Sequence, residues 1–243
     1  MNSKHFFSLV LFVFILSLSA CGGEEPPVTI PVEVPTEPPT DVPHKGSGYF
    51  DPFEGVLGGA LPWEWRGENP ARWSLTENPG FLRLYTAPYA DGGENILLLA
   101  LEQNDFTATT HVLFEPSQNF QFAGLTLFVE GGIFVTFGRS FCGFIPPCVG
   151  NGIYFDYIEE GAAVNGNFGT EVSLTSEAWL RLERVGDALT GSYSADGEIW
   201  QVIGTHTLSA FFASPRIGLI AGNDMNPAED LPADFDFFDL TMP

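Results

Sequence analysis

The chain has 243 residues, 44% of them hydrophobic, and a formal net charge of −22 from 31 acidic side chains against nine lysines and arginines. That balance excludes a phosphate-seeking surface and with it nucleic acid as a partner. It also repels anionic polysaccharides, so neutral glycans or cations are the better candidates, and it suits an exported protein that stays soluble and monomeric.

The first element in chain order is a cation at Lys4 followed by the apolar run Phe6 to Leu18. Its length and flanks are those of a secretory signal, too short for an ordinary membrane span, which sets residues 1–20 apart from the fold. The run ends in Leu18-Ser19-Ala20-Cys21, which resembles a bacterial lipobox. The resemblance implies cleavage before Cys21, a lipid on its thiol and a mature protein anchored to a membrane without crossing it. Gly22 stands where an aspartate would signal retention at an inner membrane, so the expected location is extracytoplasmic, at the cell surface. Residues 21–45, with EEPPVTIPVEVPTEPPTDVP at their centre, lose backbone donors to proline and are expected to form an extended, semi-rigid spacer.

Residues 46–243 fit one large all-β domain, roughly 200 residues being ample to bury a core. Strand-like runs recur at 81–86, 97–103, 106–114, 120–129, 133–137, 153–158, 179–185, 189–194, 199–203, 216–221 and 234–241. Turn signals such as Asp91-Gly92-Gly93, Gly131-Gly132, Gly150-Asn151-Gly152 and Asp196-Gly197 punctuate them, a pattern that predicts a sandwich or a barrel. In 106–114 the even positions Phe106, Ala108, Thr110, Val112 and Phe114 share one face, and Thr107, Thr109, His111 and Leu113 the other. The first face belongs in a core. The second is half polar, as on a sheet with one solvated, concave side. Trp179 and Trp200 are assigned to packing.

With Cys21 lipidated, Cys142 and Cys148 remain as a pair around Gly143-Phe144-Ile145-Pro146-Pro147, in a compartment where thiols oxidise. A local disulfide stapling a hairpin loop is expected.

Four stretches carry a family resemblance: WEWRGENPARWSLTENPGFLRLYT, DFTATTHVLFEPSQNFQFAGLTLF, the segment from Trp179 to Trp200, and ADFDFF at 233–238. In that order they resemble the concanavalin A-like β-sandwich attached to the C-terminus of family 43 β-xylosidases, and the DUF1349 sandwiches look similar. The resemblance implies a two-sheet antiparallel jelly roll without catalytic residues of its own, accessory to a glycosidase or acting as a carbohydrate-binding module. Here a lipid-anchor signal stands where the catalytic domain of those enzymes would be.

Glycoside hydrolysis needs two carboxylates across a sugar-sized gap, and the sandwich glucanases set theirs at alternating positions of one strand. Asp156, Glu159 and Glu160 have the wrong spacing, and Asp234 and Asp236 lack a further acid in register. Similarity to those glucanases also implies a structural calcium between an acidic turn near the start and an aspartate on the last strand. Asp51, Glu54, Gly55, Asp234 and Asp236 are the matching ligands, unless arginines such as Arg83 claim the aspartates. For sugar recognition, flat aromatic faces beside forked polar groups are needed. Trp63, Trp65, Asn69, Arg72, Gln103, Gln121, Tyr154 and Arg181 are the candidate carbohydrate-binding residues, Trp63 and Trp65 pointing the same way if the chain is extended. The leading expectation is a non-catalytic, surface-anchored domain binding a neutral polysaccharide such as xylan or glucan. A structural or adhesive domain meeting another protein, and a glycoside hydrolase or lyase, are the alternatives.

Overall fold

Period-two alternation of apolar side chains builds two layers, and the pattern in 106–114 shows how: Phe106, Ala108, Thr110, Val112 and Phe114 are buried, while Thr107, Thr109 and Leu113 are half-exposed. The computed structural model describes residues 48–57, 61–88, 93–131, 133–144, 148–164, 166–172, 176–209, 212, 214–223 and 230–243. The signal segment 1–20, Cys21 and the spacer 21–45 lie outside the described residues.

In chain order the strands are β1 (Gly48–Asp51), β2 (Glu64–Arg66), β3 (Trp73–Ser74), β4 (Leu82–Tyr85), β5 (Ala87–Pro88), β6 (Ile96–Ala100), β7 (Phe106–Leu113), β8 (Gln121–Val129) and β9 (Ile133–Cys142). They continue as β10 (Gly150–Glu159), β11 (Ala162–Ala163), β12 (Phe168–Glu171), β13 (Glu177–Val185), β14 (Ala188–Ser194), β15 (Gln201–Thr207), β16 (Arg216–Asn223) and β17 (Pro232–Thr241). The first sheet runs β15-β14-β13-β7-β17-β4-β3, with β1 also on β17; the second runs β11-β10-β9-β8-β16-β6-β2, with β12 on β10 and β5 on β16. Pairing is antiparallel except between β5 and β16, so this is the expected two-sheet jelly-roll sandwich of concanavalin A-like type. Neighbours in each sheet come from distant parts of the chain, as when β17 lies between β7 and β4.

The inner faces of both sheets supply the core, with Phe137 and Phe155 packed edge to face at 5.2 Å between Leu180, Leu182 and Leu125 of the same cluster. On β17 simple alternation fails. A bulge between Phe235 and Phe237 places Phe235, Phe238 and Leu240 inward and turns Phe237 outward to stack on Phe50. Polar side chains also enter the interior, His206 and Arg139 among them. His206, fully buried, has Nε2 3.1 Å from the Phe155 carbonyl oxygen, and Arg139 donates to Asn151 Oδ1 at 2.9 Å; burial pushes the pKa of each down.

Cys142 and Cys148 form the expected disulfide, with Cα atoms 5.1 Å apart, across the β9–β10 connection. Elsewhere the strands depart from expectation at their ends. β6 stops at Ala100, and Ile199 precedes β15 and is 77% exposed. The β14–β15 connection is longer than an Asp-Gly hairpin turn: Asp196 Oδ1 accepts from the amides of Glu198 and Ile199, each at 2.9 Å, with Gly197 at φ +76°.

Candidate functional site

The eight residues expected to meet a sugar do not gather at one place. Trp63 and Trp65 do share a side of their segment, but that side faces the core. Trp63 packs on Phe53 and Phe238 and donates from Nε1 to Asp51 Oδ2 at 2.8 Å, while Trp65 lies against Trp73 at 5.0 Å. Asn69 caps the short 3-10 turn Pro70–Arg72, and Arg72 binds Asp230 at 2.7 Å and the Thr86 carbonyl. Gln121 is buried and accepts from the amides of Ser117 and Gln118. Gln103 is exposed in the bend after β6. Arg181, on the outer face of the first sheet, lies over the Trp200 ring at 3.7 Å. Tyr154 alone among them lines a crevice, described below.

The five suggested calcium ligands do not form one donor set either. Asp51 is 3% exposed and spends its oxygens on the Phe53 amide and the Trp63 indole. Arg83 grips Asp234 through two bonds of 2.6 and 2.7 Å, Asn78 adds a third, and Asp236 lies 3.2 Å from His111 Nδ1. Glu54 is exposed and Gly55 sits in a turn at φ +75°. Among the described residues no group of three or more histidine, cysteine or acidic side chains could hold a metal ion. The residues present therefore do not fit the calcium that the glucanase likeness implied.

On the outer face of the first sheet, which the alternation of β7 marked as half polar, several polar side chains hold one another. His111 stacks flat on Trp179 at 3.7 Å with Glu177 and Asp236 at its two nitrogens, and Arg83 and Arg181 are engaged as above. Trp179 and Trp200 do pack, as expected, but on this outer face rather than between the sheets.

On the outer face of the second sheet the inner-facing Leu97, Leu99, Leu125 and Leu127 alternate with a second apolar cluster, Ile96, Leu98, Phe128 and Ile220. Phe122 and Phe134 pack on it, and Arg66 and Arg216 lie over Phe128 at 4.8 and 5.3 Å. Hydrocarbon thus closes one half of this face. The other half opens into a crevice. Gly124 of β8 and Gly138 of β9 are direct partners, and a Cβ on either would stand 2.3 Å from the Phe137 carbonyl oxygen or 2.1 Å from that of Ala123. Only glycine fits there, so the floor is bare backbone. Phe122, Ile220 and Tyr154 line it, with Ser140 beside Phe122 on one side of the glycine pair and Thr136 opposite Asp156 on the other.

Asp156 is the residue that the sequence reading considered only as a badly spaced catalytic acid. Its carboxyl makes no hydrogen bond or ion pair among the described residues, and desolvation raises its pKa from 3.8 to about 7. A signal existed: an acid in the middle of the ten-residue strand β10, between Phe155 and Tyr157, both fully buried, is costly unless it does something. Because the folded state holds this proton to higher pH than the unfolded chain, stability contributed at Asp156 falls as pH rises from about 4 to 7 and then levels off. Asp156→Asn is therefore expected to melt above the native protein at pH 8. Allowing for solvent contact of the half-exposed carboxyl, the gain is on the order of 2 kcal/mol, or about 4–8 °C, closing towards pH 4. Calorimetry at the two pH values checks it.

Residues 58–241 match the family described as the β-xylosidase C-terminal concanavalin A-like domain. The chain belongs to this family. Solved structures agree on the fold. The GH43 protein BlXynB of Bacillus licheniformis superposes with a TM-score of 0.69 at 23% identity over 79% of this chain and 39% of that one. Xylan β-1,4-xylosidase of Bacillus halodurans gives 0.66 at 16% identity over 86% and 41%, and the β-glucanase of Bacillus licheniformis 0.54 at 14% over 82% and 100%. The chain thus spans about two fifths of the length of those two family 43 structures. No curated protein matches it. In this β-xylosidase C-terminal concanavalin A-like domain, Tyr154, Asp156 and Ile158 are the alternating outward positions of β10, so the crevice offers one carboxyl group where glycoside hydrolysis uses a pair.

Proposed function

We propose that the protein is a non-catalytic carbohydrate-binding domain, held at the cell surface by a lipid on Cys21, and that a neutral polysaccharide such as xylan or glucan lies along the open half of the second sheet's outer face. Membership of a family named for β-xylosidases supports carbohydrate as the class of partner. One observation carries the choice of face. The crevice by Tyr154 pairs aromatic walls with an unengaged polar group over a backbone floor, whereas Arg83, Asp234, His111 and Asp236 of the first sheet are bound in pairs. Sugar rings present apolar CH faces and hydroxyl edges, which is what such walls and such a group accept.

Affinity electrophoresis in gels containing soluble xylan or mixed-linkage β-glucan tests this. Retardation of the native protein is expected, with loss of at least tenfold in affinity for Phe122→Ala and little change for Arg181→Ala. The opposite pattern would move the site to the first sheet. A second reading is favoured by Ile199 and Val202, 77% and 62% exposed beside Trp200, which suit an adhesive contact with another protein; a protein that no glycan retards would point there.

A further inference from the structure

We infer that Asp156 is the ligand-contacting group of this crevice, and that it takes a pair of adjacent sugar hydroxyls on its two oxygens while ionised. The inference rests on the carbohydrate-binding reading above and names the residue and the ligand chemistry that reading leaves open.

Thr136, the direct partner of Asp156 across β9, makes no hydrogen bond to its carboxyl, and two further hydroxyls of the crevice are committed to backbone. Tyr154 donates to the Gly150 carbonyl at 2.8 Å and accepts from the Val149 amide at 2.9 Å, and Ser140 donates to the Gln121 carbonyl at 2.9 Å. Both are held by backbone next to the Cys142–Cys148 staple, which fixes the connection between β9 and β10. A carboxylate accepts up to about four hydrogen bonds. Here it receives none from the described protein, so its acceptor capacity is open to a ligand. Vicinal equatorial hydroxyls supply two donors at the spacing of two carboxylate oxygens. The crevice over the Gly124–Gly138 floor is small, about 10 Å³, so it admits the hydroxyl edge of a ring that lies outside it, with Phe122 at its side. An anionic ligand would meet a chain of charge −22 and is excluded.

The electrostatic surroundings make recognition depend on protons. β8 contributes Phe122 and Gly124 to the crevice, β9 Thr136, Gly138 and Ser140, and β16 Ile220, none of them charged. Tyr154 is the other titratable group, and burial raises its pKa, so it stays a neutral phenol. On the far side of β10 the nearest acid on this face is Glu171 of β12, exposed and opposite Gly152. With no cation among the described residues to hold it ionised, burial raises the pKa of Asp156 to about 7. The protonated acid loses one of its acceptor oxygens to an O–H donor and cannot clasp two hydroxyls.

Isothermal titration with xylohexaose and cellohexaose at pH 5.5 and pH 8.5 tests this, on the native protein, Asp156→Asn and the control Glu171→Gln, each checked for folding by its thermal melt. The native protein and Glu171→Gln should bind roughly 30-fold more weakly at pH 5.5, the ratio of ionised fractions for a group titrating at about 7. Asp156→Asn should bind weakly and equally at both. Equal native affinity at the two pH values, or native-like binding by Asp156→Asn, would overturn the role of Asp156 while leaving the carbohydrate site standing. Preference for a glucosamine hexamer would overturn the hydroxyl pair in favour of an amine. No binding of either neutral hexamer by the native protein at either pH would remove the carbohydrate reading itself, and this inference with it.

Discussion

Gly138→Ala is expected to cost about 3 kcal/mol, lowering the melting temperature by roughly 6–12 °C in a protein of this size. The added methyl would lie 2.1 Å from the Ala123 carbonyl oxygen and 2.8 Å from the Gly124 Cα, backbone atoms in the middle of a sheet that cannot rotate away as a side chain could. β8 and β9 must part at the point where they carry the crevice, and β16 and β10 border them on either side, so the strain is not relieved at an edge. Sugar retention should fail as well, even where the variant is folded, because the methyl fills the small crevice into which a hydroxyl edge would reach. Thermal denaturation followed by circular dichroism gives the first quantity and affinity electrophoresis the second. A melt within about 2 °C of the native value would mean that the strands part easily and that glycine is not required there.

Asp51→Ala is expected to cost about as much, about 3 kcal/mol, for a different reason. Asp51 is 3% exposed at the end of β1, accepting from the Phe53 amide at 2.9 Å and the Trp63 indole at 2.8 Å. Removing it strands two N–H donors where the chain passes from the first sheet towards β2 of the second, and it releases the ring that packs on Phe53 and Phe238. Asp51→Asn, which retains one acceptor but turns an NH2 group on a donor, should fall between. Chelation by EDTA is expected to leave the native melting temperature unchanged, since these oxygens already hold protein donors. A fall with EDTA in the native protein that Asp51→Ala does not share would return a calcium ion to this carboxylate.

Both effects turn on contacts that the sequence only half disclosed. The equal-sided placement of Trp63 and Trp65 followed from their spacing, but not that the shared side was the inner one; β2 is three residues long, too short for alternation to show its direction. Asp234 and Asp236 were legible as acids on the last strand, yet Arg83 lies 151 positions from Asp234 and His111 125 from Asp236, so which cation would claim which aspartate waited on the pairing of β17 with β4 and β7. The bulge at Phe235–Phe237 inverted the expected direction of two aromatic rings, and nothing local announces it.

Composition and period by themselves determined the acidic, all-β character and the eleven main strands, the allocation of three cysteines gave the Cys142–Cys148 pair, and four motifs in order carried the family resemblance, because all of these depend on residues close in sequence or on sums over the chain. Tertiary structure alone decided the site. In Ile153–Ile158 apolar and aromatic side chains fall on both faces, with Asp156 the one exception, so a period of two states which side chains travel together and leaves to the fold which of them meet water. Asp156 became conspicuous only once β8, β9 and β16 had come beside β10 and bared two glycines next to it, and strand neighbours in a sandwich are chosen by the packing of the whole chain.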